Sequence, residues 1–196
     1  MKRQSIILTV LLACLAFAPA SHATLARFEA ILSGPNEDPP NASPGTGIAI
    51  VDYDSVLRTM RVQASFTGLL GPTSAVHIHC CTASPNVGNI GPATQVPSFL
   101  GFPLGVTSGA YDHTFDMTLA SSFRAGFITA NGGTAASAEA ALFSGMEDDL
   151  AYFNIHSSAF PGGEIRGFLH AVPEPATLAL VALALAGAGC ARRRKI

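Results

Sequence analysis

The chain has 196 residues, 48% of them hydrophobic and only 12% charged, with nineteen glycines, thirteen prolines and no tryptophan. That composition excludes a disordered chain and fits one modest core with apolar appendages. Six of the eleven basic residues sit at the two ends, so residues 24–171 hold five arginines and no lysine against twelve acids, a net of −7 that repels nucleic acid.

Lys2 and Arg3 form a basic leader, Ile6 to Ala18 is an apolar run of 13 broken only by Thr9, and small residues stand at Ser21 and Ala23. This is the pattern of a secretory signal peptide over residues 1–23, cleaved after Ala23. The run is too short to span a bilayer comfortably.

Short strands follow, punctuated by Gly and Pro clusters. The first candidates are Leu25 to Leu32 and Gly47 to Tyr53. Val56 to Phe66 alternates, with Met60, Val62, Ala64 and Phe66 on one face. Ala75 to His79 comes next, and then Ala110 to Leu119, which puts Tyr111, His113, Phe115, Met117 and Leu119 on one face. Thr134 to Met146 is rich in Ala with Leu142 and Phe143 and predicts one helix, a crossover between sheets. Ala151 to His156 and Glu164 to His170 complete the series. The pattern predicts a mainly β domain over 24–171, an antiparallel Greek-key-like sandwich with one short crossover helix.

His77 and His79 are two apart on a strand, so their rings share a face and can ligate one metal ion, copper or zinc. His156 is the third candidate if the two segments pair, and Glu164 could complete or orient the set. Protonation would weaken such a site as pH falls through about 6.5. His113, among aromatic neighbours, reads as a core histidine, and His170 as exposed. Glu164 and Arg166 share a strand face and read as a structural pair, while Asp52, Asp54 and Glu147 to Asp149 read as solvated turn acids. Cys80 and Cys81 are the only cysteines of the exported domain. They can close a vicinal disulfide, pair with another chain, or serve as soft ligands beside His79, the first being preferred. No catalytic motif stands out, and the domain reads as non-enzymatic.

Beyond Val172, Pro173, Glu174 and Pro175 make an extended linker, Ala176 to Ala191 is apolar enough for a single transmembrane helix, and Arg192, Arg193, Arg194 and Lys195 would hold its end in the cytoplasm. A Pro-Glu-Pro motif, an apolar stretch and an arginine cluster in this order over 172–196 resemble the PEP-CTERM sorting signal. The resemblance implies export, transient membrane anchoring and removal of the tail by an exosortase, in species that often make exopolysaccharide.

Phe28 to Gly34, Asn36 to Pro40 and Gly45 to Gly47 resemble the opening of a CHRD domain, the module named after chordin. Phe66 to Leu69, Ala75 to His79, Tyr152 to Ser157 and Gly162 to Phe168 continue the likeness over most of residues 25–170. It implies an envelope or extracellular β domain without supplying a reaction. The expected function is a cell-surface or matrix protein acting by surface binding to an exopolysaccharide or matrix protein. The rival is a copper or zinc protein using the histidines, with redox activity as a further option. Mass spectrometry of the native protein should find Thr24 at its N-terminus and no peptide from Leu178 onward in the released form. An intact C-terminus in culture fluid would count against sorting by the tail.

Overall fold

The computed structural model describes residues 25–173. The leader with its cut after Ala23, Glu174 and Pro175 of the linker, the apolar run 176–191 and Arg192 to Arg194 lie outside the described residues. The strands are β1 (Leu25–Ser33), β2 (Thr46–Asp54), β3 (Thr59–Thr67), β4 (Thr73–His79) and β5 (Gly109–Asp116), then β6 (Tyr152–Ser157), β7 (Ile165–Phe168) and β8 (His170–Val172). Two helices, α1 (Ala125–Ala130) and α2 (Ala135–Glu147), separate β5 from β6. No helix among the described residues is long and apolar enough to cross a membrane.

The alternating strands bury the faces their sequences mark. Met60, Val62, Ala64 and Phe66 of β3 are buried against Phe28, Ala30 and Leu32 of β1 and Ala49 and Val51 of β2. The strand expected from Val56 begins only at Thr59, because Asp54 Oδ1 accepts the amide hydrogens of Val56 and Leu57 at 2.9 and 2.8 Å. Arg58 then takes a φ of 53°, which closes a tight β2–β3 hairpin. The strand expected to Leu119 ends at Asp116, whose carboxylate accepts the Thr118 amide at 2.8 Å and turns the chain, leaving Leu119 exposed. The last expected strand is cut at Leu169, whose N–H donates to the Ala151 carbonyl at 2.9 Å, so β7 pairs with β6 and β8 with β1. Helix α2 matches the expected segment to within a residue and opens with a capping box in which Thr134 Oγ1 accepts the Ser137 amide at 3.1 Å. Helix α1 has no counterpart among the expected elements.

All pairings are antiparallel, and the strands form one path, β4-β6-β7-β1-β2-β3-β5, with β8 added to β1. β5 and β6 stand five intervals apart on that path, about 24 Å in a flat sheet. Yet the Phe99 ring lies 5.1 Å from Phe115 on β5 and 6.0 Å from Phe153 on β6. The sheet is therefore curled into a half-barrel, and the two facing layers expected of a sandwich are the two ends of one sheet. The segment carrying Phe99 also covers the free edge of β4, with Ala93 N–H donating to Ile78 O at 2.9 Å and Phe99 N–H to Val76 O at 3.2 Å. His113 is only half-buried between Tyr111 and Phe115, not in the core as expected, because β5 is the other edge of the sheet.

Phe66, Phe115 and Phe153 all point into this core. Truncating each to Ala is expected to cost about 3 to 5 kcal/mol by denaturant unfolding. Leu57→Ala, at the 69% exposed hairpin tip, should stay within about 0.5 kcal/mol.

Candidate metal centre

Strands β4 and β6 pair with Ala75 opposite His156, His77 opposite Asn154 and His79 opposite Tyr152. Opposed residues share a face, so these six lie together on one side, while Val76, Ile78, Phe153 and Ile155 enter the core on the other. His77, His79 and His156 each bring one ring nitrogen to a set whose members lie within 4.8 Å of one another. Their ring centroids are 5.3 to 5.7 Å apart.

Loops over this face supply one backbone carbonyl to each ring. Pro97 O lies 2.8 Å from His77 Nε2, Ile90 O 2.7 Å from His79 Nδ1, and Pro161 O 3.0 Å from His156 Nδ1. A carbonyl can only accept, so each of these nitrogens carries the hydrogen and the tautomers are fixed. The remaining nitrogens, His77 Nδ1, His79 Nε2 and His156 Nε2, are buried and have no partner. Burial pushes His77 down to about 4 and His79 to about 3, with His156 adding repulsion, and burial also lowers His156. Three neutral imidazoles with free lone pairs converge on one point, the donor set that zinc and copper take.

The surroundings hold the rings in place. Tyr152 stacks on His79 at 4.8 Å, and its hydroxyl bonds both the N–H and the carbonyl of Ile90. Buried Arg166 donates to Asn36 O at 2.6 Å, Asn89 Oδ1 at 2.6 Å and Gly88 O at 3.2 Å, and lies 4.7 Å over the Tyr152 ring. It thus ties down the loop that carries Ile90. Glu37, 3.9 Å from Arg166, is raised to about 7 by burial. Glu37 Oε1 and Asn154 Oδ1 are themselves buried without partners, and a Cβ on Gly163 would sit 2.8 Å from each, so only glycine fits between them.

Glu164 does not join the histidines. It accepts from Ser43 Oγ at 2.6 Å and from the amides of Leu70 and Gly71 at 2.5 and 3.4 Å. Burial alone would raise its carboxyl, but these bonds and one from Ser157 hold it low. Nor does it pair with Arg166, whose partners lie on the loops. Cys80 and Cys81 form a vicinal disulfide and are not thiolate ligands. Asp52 binds Arg27 at 2.7 and 3.0 Å, and exposed His170 lies 2.9 Å from Asp149. Glu37, Tyr152 and Asn154 lie in segments that carry the CHRD likeness, but no spacing rule ties them to the histidines, and the three loop carbonyls have no residue type to read.

Three imidazoles thus share one face of an antiparallel half-barrel. The CHRD domain family model matches residues 28–169, most of the chain, and the chain belongs to that family. The PEP-CTERM protein-sorting motif matches residues 171–195, which marks the protein for export, transient membrane anchoring and processing by an exosortase. No curated protein and no solved structure matches the chain.

The depressed rings make stability depend on pH. Unfolded, they titrate near 6.5, so between about 6.5 and the folded values the unfolded state binds more protons, and stability falls on acidification. Glu37 opposes this, because its folded carboxyl holds a proton up to about 7 where the unfolded one loses it near 4.5. Two rings outweigh one carboxyl, so the melting temperature should drop from pH 7 to pH 5. The double variant His77→Gln, His79→Gln should flatten or reverse that slope.

Proposed function

We propose that the domain is a metal-binding module that holds one Cu(II) or Zn(II) ion on His77, His79 and His156 and catalyses no reaction. The observation that carries this reading is the set of three buried ring nitrogens left without partners on one face. Copper is the tighter-binding choice for such nitrogen donors, and calcium or magnesium would require oxygens. Tetrahedral ligation at about 2.1 Å needs nitrogens about 3.4 Å apart, so the rings close inward slightly on binding. We place the exported module at the cell surface or in an exopolysaccharide matrix.

Because the folded rings are already neutral, binding should release almost no proton at pH 7, and affinity should hold through pH 6 before falling toward the depressed values. Titration calorimetry in buffers of differing ionisation enthalpy measures this directly. One equivalent of Cu(II) is expected. His77→Ala, His79→Ala and His156→Ala should each weaken binding beyond the roughly 10- to 100-fold typical of losing an outer partner, and His113→Ala should leave it intact. A parent protein that binds neither ion at neutral pH would overturn the reading.

A further inference from the structure

Exposed aliphatic side chains gather at the end of the sheet from which the sorting motif leaves. Leu25 pairs with Asp54 at the foot of the β2–β3 hairpin, and Arg27 pairs with Asp52 on one side and Val172 on the other. Val56 and Leu57 form the tip of that hairpin, 60% and 69% exposed, with Leu25 at 50% and Val172 at 37% beside them. The apolar run of the motif begins at Ala176, four residues beyond Val172, a stretch of chain that reaches at most about 14 Å.

We propose that this end of the domain rests on the outer surface of the membrane while the chain is anchored, with Val56 and Leu57 entering the interfacial layer. The proposal rests on the anchoring that the sorting motif marks. The tip is suited to water-poor surroundings, because the amides of Val56 and Leu57 are already taken by Asp54. Arg27 and Arg58 are committed to Asp52 and Glu139, and the Asp54 carboxylate is occupied by the amides of the tip, so the contact is made by aliphatic side chains and needs no anionic lipid. Glu147 at the end of α2, which lines the same hollow as Leu25 and Val172, would oppose one. Two or three aliphatic side chains would not hold a free protein on a bilayer. A tether of four residues raises their effective concentration enough, and cutting the tail removes that advantage, so the same cleavage that frees the chain also frees the tip.

The contact also sets the height of the histidines. His77 lies in register with Asn154, Arg166 and Ser33, six residues along β1 from the Arg27–Val172 row, about 20 Å from the membrane end. The centre is thereby held clear of the lipid.

The chain has no tryptophan, so a single introduced one reports its own depth. Leu57→Trp and Leu70→Trp, the latter 59% exposed beyond the opposite end of β3, are made in the full chain from Thr24 and reconstituted in phosphatidylcholine vesicles containing brominated lipid. Flotation with the vesicles checks anchoring independently of fluorescence. The expected result is severalfold stronger quenching of the tryptophan at 57 than at 70, unchanged by 0.5 M salt. Equal quenching at both positions, or none at 57 in protein that floats, would overturn the proposal. Protein that does not float would remove the anchoring beneath it, and the proposal with it.

Discussion

Strands β4 and β6 are buried on both faces, and much of the molecule is arranged to meet that demand. One face is apolar and joins the core through Val76, Ile78, Phe153 and Ile155. The other carries three histidines, an asparagine and a tyrosine, and burying them requires hydrogen-bond partners that no neighbouring strand supplies. The loops bearing Ile90, Pro97 and Pro161 provide a carbonyl for each ring, and stop there. Each ring nitrogen left over costs roughly 1 to 3 kcal/mol while it lacks a partner. A metal ion would satisfy all three together.

Arg166 links this face to the loops around it. Its guanidinium would be expensive to bury alone, but it is occupied by two backbone carbonyls, Asn89 and the faces of Tyr152 and Phe168. The loop it grips carries the carbonyl that orients His79, so Arg166 acts on the centre through position and not by contact. Glu37 shares the site as a carboxyl whose proton is retained to about pH 7. Near neutrality the charge beside Arg166 is therefore adjustable.

The vicinal disulfide is fixed by the helix above it. Gly145 lies inside α2, where glycine is a poor helix former, but a Cβ there would collide with the sulfurs of both Cys80 and Cys81. Those cysteines directly follow His79 at the end of β4, so the contact joins α2 to the strand that carries two of the three ligands. A disulfide suits a protein that its sorting motif sends out of the cytoplasm.

The sequence by itself determined the strand faces, since period-two alternation in Thr59 to Phe66 is a local property of an extended chain with one side buried. It likewise determined the helix after Thr134, the likeness to CHRD domains and the three-part tail, all carried by contiguous residues. It could pair His77 with His79 because two residues in one strand must share a face. Only the tertiary structure decided that His156 joins them and Glu164 does not. That outcome depends on the β4–β6 register and on Ser43, Leu70 and Gly71 capturing the carboxylate from distant loops. The hairpin tip at Val56 turned on one side-chain cap, and the curl of the sheet brings the loop residue Phe99 against both β5 and β6. These are contacts between segments far apart in the chain, and no local period records them.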